Sequence, residues 1–513
     1  MQNLYKTAAV VTVFTVFEHF LGFLYRIILS RTLGSEGLGI YQVALTVFAV
    51  FLTMSASGLP ITLSRVISKH RAKGNVRGEH AATSSALLIA LLFSVPITVI
   101  LFLLRAPFSR IFADPRSADL FYILILGLSF TSVYAIIRGC FWGNRRFFAY
   151  SLIELIEEII MIVVGVLLIV ILPTGLAGVN SAAVAVLVSY LCSFSIAAVY
   201  FFARGGKLAS PRGEFLPLLS SSMPVTAMRT SSSLIGSLIS VLFPMRLMSA
   251  GLSASRAMSE YGVVYGMVMP ILMMPSTFIS SIALVLVPEL AECFYKKDRQ
   301  KLSSLVEKAL CSALLIAGAL IPFFVACGES VGIFLFSNAE SGKLIAYSAA
   351  LLLPMSLTMM CTSMLNSMNC EKHTLVFFLC GSAAMLLCVW FLPKYMGCGA
   401  LILGMGLDYT ITAVCSLVLI KKRTGKLPSF KFCFKLLFVV LTASLLGWWC
   451  KTLLMQVLSY IPATLLTALA VLLVEVPLLH FLRLFNLKAL FSRFAFKRRK
   501  KGHAKQTEIL RFT

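Results

Sequence analysis

Residues 81–104 read AATSSALLIALLFSVPITVILFLL, with no ionisable side chain anywhere in the stretch. As a helix rising about 1.5 Å per residue, it covers the roughly 30 Å hydrocarbon core of a bilayer. Backbone amides in hydrocarbon have no water to bond, so the stretch must satisfy them within itself, as a helix does. Apolar blocks of this kind recur along all 513 residues, of which 59% are hydrophobic and 13% charged. That composition excludes a soluble domain. The blocks lack the two-residue alternation of an outer-membrane barrel strand, which leaves an all-α polytopic membrane protein.

Outward from that block, the same reading predicts fourteen spans, with edges uncertain by several residues. They lie at about 8–30, 38–66, 81–104, 118–142, 150–172, 178–203, 218–247, 258–287, 304–328, 343–367, 373–393, 397–420, 431–455 and 460–482. The first span lacks a small-residue cleavage site and carries Glu18 and His19, so it reads as a retained helix and not a signal peptide. No linker is large enough for a globular domain. The 13 cysteines show no metal-ligand spacing and fall mostly inside spans between Cys293 and Cys450, which suits packing. No disulfide, metal or cofactor is expected.

The net charge of +25 is mostly topology. With connections numbered alternately, most Lys and Arg fall on the side of the N-terminus. They include Lys69 to Lys73, Lys296 to Arg299, Lys421 to Arg423 and the tail run Lys497 to Lys501. The positive-inside rule then places both termini in the cytoplasm and requires an even number of spans. A basic tail beside anionic headgroups accounts for the charge without nucleic acid.

A weak internal repeat relates Gly39-Ile40-Tyr41 to Gly262-Val263-Val264-Tyr265, each ahead of a long span and a basic loop. Tyr25-Arg26 and Met245-Arg246 close the preceding spans in the same direction. Two six-helix lobes in parallel orientation are therefore expected, at 1–205 and 206–425. Two further helices follow at 426–485, and a basic cytoplasmic tail at 486–513. Repeats of this kind place a substrate site between the halves and rock around it.

Six arginines cannot be assigned to the basic side: Arg26, Arg31, Arg138, Arg229, Arg246 and Arg256. An arginine at bilayer depth is costly and faces a partner or a watered cavity, and its sign points to an anion. Arg229 is the deepest, near mid-membrane between Ser220-Ser221-Ser222 and Ser231-Ser232-Ser233. Arg26 and Arg246 occupy equivalent places in the repeat. Arg31 and Arg256 flank the outer hairpins, where long basic side chains also snorkel to the rim.

Glu154, Glu157 and Glu158 open the fifth span, close in sequence to Arg138. They read as an ion-pair cluster at an inner gate, or as carboxylates of which one changes protonation, since crowded carboxylates resist ionisation. Glu18 and Asp408 lie mid-span and could bind a coupling cation or proton, or pair with a buried arginine. Gly58 with Pro60, and Pro270 with Pro275, break long helices in both halves and serve as candidate hinges. No P-loop, nucleophile elbow or metalloprotease motif is present, so the chain reads as a transporter and not an enzyme.

Gly58-Leu59-Pro60-Ile61-Thr62-Leu63-Ser64-Arg65, Leu21 to Arg26 before Leu33-Gly34, and Arg138-Gly139-Cys140-Phe141-Trp142-Gly143 carry a family likeness. The chain resembles the polysaccharide-exporter branch of the multidrug/oligosaccharidyl-lipid/polysaccharide (MOP) flippase superfamily. Within that branch it is most similar to the stage V sporulation protein B group of Gram-positive bacteria, relatives of the lipid II flippases. The resemblance implies two six-helix lobes around a cationic cavity that closes alternately on each face. It also implies that Arg26 holds a carrier pyrophosphate, with Arg246 or Arg256 as the second-lobe counterpart, and that the last two helices line a groove for the lipid tail. Two departures stand out. Glu157 is followed by Met161 where the family pattern would have Arg, and Gly39-Ile40-Tyr41 lacks the acidic residue of lipid II flippases.

The expected function is movement of a lipid-linked saccharide, such as a peptidoglycan precursor or polysaccharide repeat unit, from inner to outer leaflet. Arg26, Arg229 and Arg246 would neutralise the pyrophosphate, and a coupling cation or proton would assist. A monomer in a bacterial plasma membrane, with a role in sporulation by resemblance, completes the expectation. The alternatives are a cation-coupled multidrug antiporter of the same superfamily, or a non-transporting scaffold for cell-wall synthesis.

Overall fold

The computed structural model describes residues 2–171, 176–211 and 213–484. The basic tail expected at 486–513, with its run Lys497 to Lys501, lies outside the described residues. Among the described residues the chain is helical throughout, with no strand. The helices are α1 (Gln2–Ala56), α2 (Leu59–Ala72), α3 (Val76–Leu103), α4 (Arg105–Ser109), α5 (Pro115–Ile125), α6 (Leu128–Gly143) and α7 (Phe147–Ile171). Then follow α8 (Leu176–Ala203), α9 (Phe215–Ser249), α10 (Ala254–Tyr261), a π-helix (Gly262–Val268), α11 (Met269–Tyr295), α12 (Arg299–Phe336) and α13 (Ala339–Ser348). The last are α14 (Leu352–Ser367), α15 (Glu371–Phe391), α16 (Pro393–Met396), α17 (Gly399–Thr424), α18 (Phe430–Val457) and α19 (Tyr460–Phe481).

Eleven of the described helices are long and apolar enough to cross a membrane, or twelve if α5 and α6, bent by 49°, form one span. The difference from the fourteen expected lies in three places. The stretch Val13–Ala72 counts once but contains two expected spans. They are divided at Gly34, whose φ of 70° and ψ of −176° no helix contains. The bent pair replaces the expected span 118–142. Finally, α7 carries three glutamates and is not among the eleven.

Many of the helices end on a left-handed residue. Gly74, Arg145, Gly205, Lys297, Asn369, Gly425 and Arg483 all have positive φ. They follow α2, α6, α8, α11, α14, α17 and α19. In six of them the next residue's N–H returns to a carbonyl of the last turn, as from Arg146 to Phe141 at 2.8 Å and from Asp298 to Cys293 at 3.1 Å. The left-handed residue thus satisfies carbonyls that the helix end would otherwise orphan.

The described chain divides into two compact units. The first comprises the chain up to Met273, Phe334–Ser341 and Leu375–Ile411. The second comprises Met274–Ile333, Gly342–Thr374 and the chain from Thr412. Lipid tails are as apolar as leucine, so helices in a membrane associate through close packing of small residues and polar contacts. In the first unit, α2 meets α6 in this way: Gly139 lies against the Pro60 backbone, and Gly143 against Ile67 and the Ser64 carbonyl. Leu63, Ile67, Ile136 and Phe141 bury around that contact. In the second unit, α18 and α19 pair, and Gly447 lets Val471 and Ala326 close in. Lys451, buried on α18, bonds Glu329 of α12 at 3.0 Å.

Candidate functional site

Inside the first unit, α1, α6 and α7 bring ionisable groups together. Arg138 Nη1 donates to Glu154 Oε1 at 3.0 Å, and its guanidinium lies 5.3 Å from the Trp142 ring. Glu154 also takes a hydrogen bond from Tyr150, and Glu157 one from Ser193 of α8. Glu158 lies against bare backbone on α1, where a Cβ at Gly22 would stand 2.9 Å from its Oε1. The three glutamates therefore fan out toward α6, α8 and α1. Glu18 is within electrostatic reach of all three and of Arg138. Arg26, one turn beyond Gly22, has Tyr41 and Glu158 as its polar neighbours.

Four carboxylates thus face two guanidiniums. Several polar atoms of this interior are buried without a partner among the described residues: Glu157 Oε2, Arg138 Nε, and the hydroxyls of Tyr25 and Tyr134. A buried carboxylate with an empty acceptor is expensive unless a proton, cation or water completes it.

Arg229 is placed by a different device. Between α1 and α2 the helix breaks at Ser57-Gly58, and Gly58 packs directly on α9, where a Cβ would collide with the Ser222 carbonyl and the Thr226 hydroxyl. Gly58 N–H donates to Thr226 Oγ1 at 3.2 Å. The break frees the Ser57 carbonyl, and Arg229 Nη1 reaches it across 3.4 Å. Among the described residues that long bond is the guanidinium's only one, and the side chain is exposed. Ser220, Ser221, Ser231 and Ser232 return their hydroxyl protons to carbonyls of the preceding turn, which leaves their oxygens free to accept. A groove of about 530 Å³ lined by Leu216, Pro217, Leu219, Ser220 and Met223 opens at the start of the same helix.

The other sequence candidates are held differently. Arg246 lies over the Trp390 ring at 4.5 Å and donates from Nε to the Trp390 carbonyl at 2.9 Å. It stands about 25 Å from Arg229 along α9, at about 1.5 Å per residue. Arg229 and Arg246 therefore cannot grip one pyrophosphate together; they are successive levels on one helix. Arg31 donates to the carbonyls of Leu335, at 2.9 Å, and Phe334. Arg256 bonds Glu340 at 2.8 Å and lies 3.7 Å from Glu260. Asp408 lies within electrostatic reach of Tyr265 and Tyr409, away from the glutamate cluster. Pro60 sits in the first turn of α2, and Pro270 in the first turn of α11, directly after the π-helix, with Pro275 buried further on.

Sequence reasoning did not single out Tyr25, Tyr41 or Tyr134, nor the pairing of Glu36 and Asp114 with Arg116. It also passed over Lys451 with Glu329. A lysine inside the last turns of an apolar span is the signal that could have found that pair.

The arrangement of helices is one that polytopic membrane transporters of known structure share. The inward-closed structure of the lipid II flippase MurJ superposes with a TM-score of 0.69 at 16% identity, covering 93% of this chain and 99% of that one. An inward-facing multidrug resistance MATE family transporter of the MOP superfamily superposes with a TM-score of 0.63 at 17% identity, covering 80% and 94%. At such identities the likeness shows the fold.

The family is shown by sequence. Residues 4–294 match the polysaccharide biosynthesis protein family, and the chain belongs to it. The stage V sporulation protein B of Bacillus subtilis (strain 168) is 25% identical over 341 residues, which cover 63% of this chain and 64% of that relative. The lipid II flippase MurJ of the same organism is 22% identical over 456 residues, covering 82% and 83%. The matched region thus spans less than two thirds of the sporulation protein and most of the flippase.

Proposed function

We propose that this protein moves a lipid-linked saccharide from the inner to the outer leaflet of a bacterial plasma membrane by alternating access. The observation that carries the reading is Arg229: an exposed guanidinium well inside a long apolar helix, held by one long bond at a helix break, on a helix whose serines leave their oxygens free to accept. A cation so placed is costly unless it serves a passing anion. Arg26 and Arg246 extend the path as further levels. Arg26 exchanges Glu158 for the pyrophosphate, and Arg246 releases the Trp390 carbonyl to do the same.

In this reading residues 1–205 and 206–425 act as two lobes, both termini are cytoplasmic, and α18 with α19 accommodate the lipid tail. The breaks at Gly58–Pro60 and at the π-helix before Pro270 and Pro275 supply bending. The protein works as a monomer. A membrane potential negative inside favours expulsion of an anion by about 2.3 kcal/mol per charge per 100 mV. The carboxylate excess at Glu18, Glu154, Glu157 and Glu158 takes up a proton or cation that resets the carrier, with Arg138 as the fixed partner of Glu154. The similarity to a stage V sporulation protein B points to use in spore-envelope synthesis, and the similarity to a lipid II flippase points to a peptidoglycan precursor.

The test is single replacement of Arg26, Arg229 and Arg246 by Ala in liposomes that report exposure of a pyrophosphate-linked saccharide at the far leaflet. Export that survives all three replacements removes the anion path. The same carboxylate excess favours a second reading, a cation-coupled multidrug antiporter. Drug efflux by the protein that disappears in Glu18→Gln, with no export of the lipid-linked precursor, would establish that reading instead.

A further inference from the structure

The two repeat-related glycines, Gly39 and Gly262, meet in space. A Cβ on Gly39 would collide with the Met258 carbonyl oxygen and stand 3.1 Å from Gly262 N. A Cβ on Gly262 would collide with the Ser35 carbonyl oxygen and stand 2.7 Å from Gly39 N. Each glycine faces the carbonyl four residues before the other, so the contact is reciprocal about a local two-fold relation. Ser35 Oγ and Ser259 Oγ lie 2.6 Å apart on the same crossing. Only bare backbone permits an approach this close.

Charged side chains ring the crossing. Arg31, one turn before Ser35, donates to the carbonyls of Leu335 and Phe334; Arg256, just before Met258, bonds Glu340. Both arginines therefore grip one short stretch, the turn from α12 into α13. Glu36 takes hydrogen bonds from Ser255 and from Arg116, which Asp114 holds at 2.7 Å. On the far side of Gly262 the chain continues as a π-helix, whose backbone bonds are looser than those of an α-helix.

We propose that the Gly39–Gly262 crossing, latched through Arg31 and Arg256 onto the turn between α12 and α13, is the outer gate of the transport path and must part for release. Backbone-to-backbone packing suits a gate. Two helices that meet through glycine have no interlocked side chains to withdraw, and the weak Cα–H···O contacts at such crossings cost little to break. Specificity of closure comes instead from the ring of arginine bonds, which can be exchanged one at a time. The same arginines are the ones a departing anion would meet, so arrival of the anionic head competes for Arg31 and Arg256 and loosens the latch. The inference rests on the transport reading for its purpose, but not for its geometry.

The experiment pairs Ser35→Cys with Ser259→Cys. Oxidised double variant in liposomes is digested without reductant, and the linked peptides are identified by mass spectrometry, which separates this link from the native thiols. The expected result is a high-yield link, export lost in the oxidised form and restored by reductant, the reduced form serving as the folding control. A linked protein that exports as fast as the reduced one, or a pair that does not link, overturns the proposal. Gly39→Leu is the complementary wedge, with Gly236→Ala, whose surroundings are open, as control. Hydrogen exchange of the Gly262–Val268 amides should rise in the wedge and fall in the linked protein. That readout needs no substrate. Absence of precursor export in the unaltered protein therefore defeats the flippase reading while the gate is still decided by exchange, and unchanged exchange in both variants defeats the gate alone.

Discussion

Removal of the Arg138 guanidinium is expected to cost more than the loss of one hydrogen bond. At 3.0 Å the pair with Glu154 has a gross Coulomb energy of about 5.5 kcal/mol at an effective dielectric of 20, against about 1.4 in water. The side chains are 30% and 16% exposed, so desolvation offsets much of the gain without abolishing it. With the cation removed, Glu154 remains beside Glu18 and Glu157 as uncompensated negative charge. Arg138→Met is therefore expected to destabilise the fold by about 3 kcal/mol, the low end of values for breaking a buried pair. Glu154→Gln leaves a neutral hydrogen-bonding group and is expected to cost about 1 kcal/mol. The double variant should then recover about 2 kcal/mol relative to the sum. Reversible unfolding in mixed micelles, extrapolated linearly in denaturing detergent, gives the four stabilities of the cycle. A coupling energy below about 0.5 kcal/mol, the value of an exposed pair, would refute the claim that Arg138 and Glu154 act as a buried pair.

Other outcomes follow from the same geometry. Arg145 adopts φ of 58° at a helix end, so Arg145→Gly should stabilise the fold by about 1 kcal/mol in the same unfolding assay. Arg229→Lys keeps a charge but loses the planar fork that matches phosphate oxygens; affinity for a pyrophosphate-linked lipid, measured by microscale thermophoresis, should fall clearly, and further in Arg229→Ala. Equal affinity in Lys and Ala variants would show that charge is immaterial there. Lys451→Met leaves Glu329 partly hydrated, so its cost should be modest, about 1–2 kcal/mol, read as a lower midpoint of thermal unfolding.

Much of the helical layout was legible in the chain, because a bilayer punishes unpaired backbone and ionised side chains over fixed distances. The break at Gly58 and the pairing of Arg138 with a fifth-span glutamate both belong to segments near one another in sequence or spelled out by glycine and proline. Arg31 was harder. Its partners are backbone carbonyls of Phe334 and Leu335, groups that every residue carries, so no residue type could mark them. Arg246 likewise reads as a free cation until Trp390 is brought over it.

By itself the sequence determined that the chain is a succession of long apolar helices, and that arginines lie where only a partner or a passing anion would keep them. These are properties of composition along a line, set by transfer energies and the pitch of a helix. Only the tertiary structure decided that Arg229 and Arg246 stand at separate levels, that three glutamates point three ways, and that Gly39 and Gly262 touch. Those outcomes depend on how helices are rotated and crossed, which is governed by where small residues let backbones approach and not by the hydropathy of any one span.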